Sequence, residues 1–298
     1  MAINISKQSL SLLVSLIKQK RELSGLKDDL VLKELNKYLN SNPKVLSKIN
    51  KKSGKNLQRS SIFKETMKSV RKTLHKTHGV FQTKKVFKRG KLLEKLKISV
   101  KDSDFMQVHK ELLKTNVSSR ERLGDYEELY EHLFSITSKP KSLLDLGSGI
   151  NPLSFPLMHL GKLDYLSTEI NQSDIDFINE YFLIMSKYGL TGKAIFLDLS
   201  DEEALITLQK ISQKDICFMF KLLESLNLVK KKKYKLIEKI LSSTKSRWIV
   251  VSFATKTISG KSMKFKQRNW MDLMLNRLHL KYEKFNTSNE IFYIIKNH

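Results

Sequence analysis

The stretch SLLDLGSGINPLSF, residues 142–155, decides how this chain is read. An apolar run ends on Asp145 and Leu146, Gly147 and Gly149 follow one residue apart, and Pro152 comes soon after. Apolar residues that stop at glycines read as a buried strand entering a tight turn. Glycine adopts left-handed backbone conformations there and lets a ligand come close. Pro152 suits the first turn of a following helix. In an open parallel sheet, ligands bind beyond the carboxyl ends of the strands. A lone G-x-G is equally an ordinary turn, so the rest of the chain has to support the reading.

Outward from this turn, apolar strand-like runs recur at 142–146, 163–168, 193–198, 215–220 and 247–253, then at 280–285 and 290–295. Helix-like segments at 172–188, 202–212, 226–242 and 267–278 separate most of them. Strands and helices in alternation predict a mostly parallel sheet covered on both faces. Only NTSN separates the last two strands, which predicts an antiparallel hairpin at one edge. Residues 5–115 follow a helical period instead. Leu10, Leu13, Val14 and Ile17 share a face, as do Leu32, Leu35 and Leu39 within 28–40. Further helices are expected over 61–81 and 91–99, with SNPK and KKSGKN as turns. The fold class is α/β: an α-helical N-terminal domain, 1–115, precedes a seven-stranded, mostly parallel sheet domain, 116–298.

The 298 residues carry 55 Lys+Arg against 30 Asp+Glu, a formal net charge of +25. Residues 1–115 hold 28 of those cations and only 9 acids. Such an excess calls for a polyanion, either nucleic acid or an acidic membrane surface. The run from Lys84 to Lys97, with Phe87 interleaved, is either a solvated helix face or an RNA-facing patch; Lys84, Lys85, Lys88, Arg89 and Lys91 are its candidate phosphate contacts. The lysine run 230–233 has the same two readings. Cys217 is the sole cysteine, which excludes an intrachain disulfide and a cysteine-based zinc site; its apolar strand makes it inert packing. The seven histidines show no ligand spacing, so no metal is expected. The apolar run 10–17 is far too short to span a bilayer, and the N-terminus lacks a signal-peptide pattern. A cytoplasmic monomer with no membrane partner is expected. Trp248 and Trp270 read as core.

Two acids strengthen the glycine turn. Glu169 ends the second strand and can accept from both hydroxyls of a ribose. Asp198, in FLDLSD, can accept from an adenine amino group or cap the helix beginning near Asp201. Both NAD and S-adenosylmethionine (SAM) meet these conditions. The NAD fingerprint wants a third glycine where Pro152 stands, whereas SAM carries no phosphate and does not need it.

Seven strands with a terminal hairpin outline the Rossmann-like methyltransferase fold. Within it, LLDLGSGINPLSF closely resembles the cofactor loop of the aminoglycoside-resistance 16S ribosomal RNA guanine-N7 methyltransferases, D-x-G-C-G-x-N-P-L. NVSSRERLGDYEELY (116–130) resembles their H-x-S-T-x-E-R segment. FMFKLLESL (218–226) resembles F-L-L-K-x-L-P-x-L, and VVSFATKTISGK (250–261) their V-S-F-P-T/I-K/R stretch. LHKTHGVFQ (74–82) is faintly similar to part of their N-terminal domain.

The resemblance implies a SAM-dependent methyltransferase acting on 16S rRNA in the decoding region of the small ribosomal subunit. It implies that Arg122 grips the SAM carboxylate, that Asp145, Gly147 and Gly149 belong to the methionine-side loop, and that Glu169 holds the ribose. Asp198 and Leu199 would lie at the adenine, with Phe220 and Lys221 opening onto the site. Lys221 is the one candidate for a catalytic role. Lys256, Ser259, Gly260 and Lys261 would lie near the RNA. The chain departs from the pattern at Asn116 for histidine, Ser148 for cysteine, and Glu224 and Ala254 for two prolines. Those departures leave open another rRNA or tRNA base as target, or an RNA-binding protein with a degenerate methyltransferase domain. A small-molecule methyltransferase would leave the basic N-terminal third unexplained.

Overall fold

The computed structural model describes residues 6–50, 54–77, 79, 83–98, 102–201, 203–226, 234–257, 260–263 and 267–297. Two compact units divide the chain: Met1–Phe81 with Asn171–Ser173, and Gln82–Ile170 with Asp174–His298.

The first unit is helical. Helices Lys7–Lys18, Asp28–Asn40 and Ser61–Thr77 bring Leu13, Val14, Ile17, Leu35, Leu39, Phe63, Val70 and Leu74 into one core. Arg71 donates to the carbonyls of Leu16 and Ile17, capping the first helix with a cation where its dipole favours one. Two expected turns prove helical. Pro43 opens helix Pro43–Asn50, and the glycine of KKSGKN opens helix Gly54–Arg59. Proline at a first helical position forfeits only an N–H that has no partner in the helix.

The second unit carries the expected α/β sheet. Its strands are β1 (Ser142–Leu146), β2 (Leu163–Glu169), β3 (Leu190–Phe196), β4 (Ile216–Phe220), β5 (Trp248–Ala254), β6 (Lys281–Asn286) and β7 (Glu290–Lys296). Their spatial order is β3-β2-β1-β4-β5-β7-β6. The first five pair in parallel; β7 runs antiparallel to both β5 and β6, forming the edge hairpin. Strand alternation sorts the core into two layers. Leu143, Tyr165, Phe218, Val250 and Phe292 enter one, and Leu144, Cys217, Met219, Val251 and Tyr293 the other.

The second unit starts well before residue 116, where the charge boundary falls. Helices Arg89–Ile98 and Asp102–Leu113 place Leu93, Leu96, Leu112 and Leu113 in the same core as β1 and β2, so apolar packing sets the division. Cys217 packs in the core as expected, and Trp248 and Trp270 are half-buried against it. Among the described residues no helix is long and apolar enough to cross a membrane.

Candidate active site

Parallel pairing puts the carboxyl ends of β1 to β5 on one rim, and antiparallel β7 brings its first residue there too. The strand order reverses between β1 and β4, at the glycine turn. Gly147 and Gly149 have φ of +62° and +54°. A Cβ on Gly147 would lie 2.6 Å from Leu222 Cδ1, so the turn is tight as well as left-handed.

The turn is laced to β2. Gly149 N–H donates to Glu169 Oε2 at 2.9 Å, and Ile170 N–H to Oε1 at 2.8 Å. Ser148 and Ser167 hydroxyls meet at 2.5 Å. Glu169 thus stands at the strand end directly against the turn. Asp145 lies beneath it, 1% exposed, accepting from Tyr165 Oη at 2.5 Å and Asn151 Nδ2 at 2.8 Å. Burial raises its pKa to about 6, against the pull of those two donors. Its carboxylate is shut off from solvent against Tyr165 and Asn151.

Arg122 is wholly buried in a network the sequence did not reveal. Its Nε donates to Glu290 Oε1 at 2.9 Å and its Nη2 to Glu290 Oε2 at 3.1 Å. Its Nη1 lies 3.3 Å from Tyr126 Oη and from Asn151 Oδ1. The guanidinium also lies over the Phe220 ring, 4.7 Å from its centroid. Lys221 Nζ bridges Glu121 at 2.8 Å and Glu290 at 3.3 Å, and Ser252 Oγ donates to Glu290 Oε2 at 2.6 Å. Burial alone would raise the Glu290 pKa; Arg122 and Lys221 outweigh it and hold it below the ordinary range. Lys221 has φ +54°, a left-handed conformation a non-glycine residue rarely adopts.

Asp198 lies beyond the end of β3, and its Oδ1 accepts from Ser200 N–H at 2.9 Å. Leu199 is buried with Leu197 and Ala204. Glycines with φ > 0, a carboxylate at the end of β2 and an aromatic wall from β4 suit an adenosine cofactor. The arginine suits a carboxylate, but here Glu290 occupies its fork.

The basic candidates divide. Lys84, Lys85, Lys88 and Lys91 are exposed beside Phe87, itself 69% exposed. Lys256 and Lys261 are exposed on a short hairpin after β5. Arg89 is not on that surface. It is buried, paired with Asp174, hydrogen-bonded to Thr115 at 2.9 Å and packed over Phe177. Buried away from the surface that the lysines share, the guanidinium is not presented to a phosphate, which corrects its assignment to RNA. Ser259, the lysine run 230–233 and parts of 74–82 lie outside the described residues.

Fold and site together define a Rossmann-like methyltransferase domain. The family model described as ribosomal RNA methyltransferase (FmrO) matches residues 36–294. The chain belongs to that family. A 16S rRNA (guanine(1405)-N(7))-methyltransferase of Proteus mirabilis is 26% identical over 248 residues, covering 78% of this chain and 84% of that protein. One of the same description from Micromonospora rosea is 24% identical over 241 residues, 78% of this chain and 82% of its own. Among solved structures, the 16S rRNA methyltransferase RmtF in complex with S-adenosyl-L-homocysteine aligns at TM-score 0.73 and 19% identity, covering 99% of this chain and 100% of that one. The 16S rRNA methylase RmtB aligns at 0.66 and 19%, covering 100% of both. At these identities the structures speak for the fold.

Proposed function

We propose that the chain is a SAM-dependent methyltransferase that modifies N7 of a guanine in the decoding region of 16S rRNA, within the small ribosomal subunit. Family membership supports RNA methylation, and relatives in Proteus and Micromonospora named for guanine N7 support the atom. The observation that carries the reading is the Gly147–Gly149 turn held against Glu169 at the rim where the strand order reverses.

In this reading Glu169 receives the ribose hydroxyls, Asp198 lies at the adenine, and Phe220 forms an apolar wall. Arg122 receives the cofactor carboxylate once its pair with Glu290 rearranges, since a guanidinium fork suits that group. SAM supplies an electrophilic methyl group on a sulfonium. Guanine N7 presents a lone pair and carries no proton, so no side chain has to remove one. That agrees with a sequence lacking a K-D-K-E-type constellation and the N/D-P-P-Y/F motif. The chain's task is to hold N7 in line with the methyl group, and positioning of this kind supplies much of a two-substrate barrier reduction. Lys221, fixed at the end of β4, stabilises the local arrangement electrostatically; no proton transfer is assigned to it.

Lys84, Lys85, Lys88, Lys91, Lys256 and Lys261, with much of the basic N-terminal third, contact RNA phosphates. Exposed Phe87 offers a ring on which a base can stack. Such binding weakens steeply as salt rises, because each neutralised phosphate releases counterions. Incubation of the purified chain with small ribosomal subunits and methyl-labelled SAM tests the proposal. Label in 16S rRNA is expected; label confined to tRNA transfers the activity to another RNA, and none at all refutes it.

A further inference from the structure

The two positions at which the chain departs from the family's prolines, Glu224 and Ala254, touch each other. Glu224 lies in the helical turn Leu222–Ser225 after β4, and Ala254 ends β5. Ala254 N–H, a donor proline would lack, donates to Glu224 Oε2 at 3.0 Å. Arg268 completes the set: its Nη2 lies 3.0 Å from Glu224 Oε1 and 2.8 Å from the Ala254 carbonyl oxygen. Glu224 and Arg268 thus grasp the N–H and the C=O of one residue. Arg268 is 7% exposed, and its guanidinium lies 5.5 Å from the Phe253 ring centroid.

What they hold is the base of the basic hairpin. Thr255 N–H donates to the Asn289 carbonyl and Met263 N–H to that of Thr255. Lys256 and Ser262 pair antiparallel, and Thr257 N–H donates to the Lys261 carbonyl at 2.8 Å. Gly260 takes φ +81°. Lys256 and Lys261 are exposed on this hairpin, which leaves the sheet on the same rim as the glycine turn.

We propose that Glu224 and Arg268 are positioning residues that aim the Lys256/Lys261 hairpin at phosphates of the RNA substrate. An exposed ion pair contributes little on its own. This one is partly buried and acts on the backbone from which the hairpin springs, so losing it changes where the lysines point. The proposal rests on the RNA-methyltransferase reading above.

The test uses the full chain, small subunits and labelled SAM, reading KM for subunits, kcat, cofactor Kd by calorimetry and the thermal midpoint. E224A and R268A should each raise subunit KM about three- to tenfold, the net scale of one ordinary hydrogen bond. Both should leave kcat and cofactor Kd within about twofold, and the double variant should be no worse than the worse single one. E224Q should recover only part of the loss, since its single amide oxygen can accept from Ala254 N–H or from Arg268 but not from both. If E224A does not fold, R268Q carries the comparison. Unchanged KM in both single variants, while K256A/K261A raises it, overturns the clamp and leaves the RNA reading intact. Cofactor affinity falling in step with KM also overturns it, because the pair would then be scaffolding for the whole site. No transfer to any RNA by the unmodified chain sinks the functional reading and this proposal together.

Discussion

Glu290 and Arg122 face each other in a fork-to-fork pair, at 2.9 and 3.1 Å, with both side chains shut off from solvent. Lys221 closes on the same carboxylate at 3.3 Å. Removing the acid strands two cations in a dry place, so Glu290→Ala should cost about 3–5 kcal/mol of stability. Urea unfolding measures it. A loss under about 1 kcal/mol would mean that the network relaxes into water.

The cofactor assignments make a separate prediction. Arg122→Ala and Glu169→Ala should each weaken SAM binding about tenfold or more, as expected when a charge-assisted hydrogen bond is lost. Calorimetry with the folded variants reads it. Unchanged affinity in both would remove the site from this rim.

Gly147→Ala should destabilise the chain by about 1–2 kcal/mol, because an alanine at φ +62° is strained in the left-handed region. The clash with Leu222 Cδ1 adds little, since that atom ends a flexible side chain. Gly161→Ala serves as control, with nothing within 4 Å of its added Cβ.

The sheet, its edge hairpin and the glycine turn were legible because period-two apolar runs and glycine punctuation are local signals. β1 matches its expected bounds, while β3 begins and ends earlier than expected, leaving Asp198 beyond the strand. Glu290 was not legible as a site residue. It reads as the polar first residue of an apolar strand, and only antiparallel pairing of β7 with β5 carries it beside Lys221 and Arg122. The one available hint was an acid leading an otherwise apolar run. Arg89 misled for the converse reason: its lysine neighbours suggested a surface, while its partner Asp174 is 85 residues away.

Two buried groups give opposing pH dependences. Burial holds His109 near a pKa of about 4, below the ordinary histidine range, where it bonds Tyr181 Oη at 3.0 Å. Between about pH 6.5 and 4 the unfolded chain takes the histidine proton and the folded chain does not, so stability falls on acidification by about 1.4 kcal/mol per pH unit. Asp145, raised to about 6, acts in reverse. Between its unfolded value and 6 the folded chain holds the extra proton, so acidification through that window favours folding. Relative to the unmodified chain, His109→Phe should gain stability at pH 4.5 compared with pH 7, and Asp145→Asn should lose it. Thermal midpoints at both pH values check the signs; identical shifts in the two variants would contradict them.

Methyl transfer to guanine N7 in 16S rRNA leaves a base open to borohydride reduction followed by aniline cleavage of the chain. Small subunits treated with the chain and SAM should yield 16S rRNA that cleaves at one guanine in the decoding region, with no cleavage when SAM is omitted. Labelled but uncleaved 16S rRNA, or cleavage elsewhere, would contradict the account.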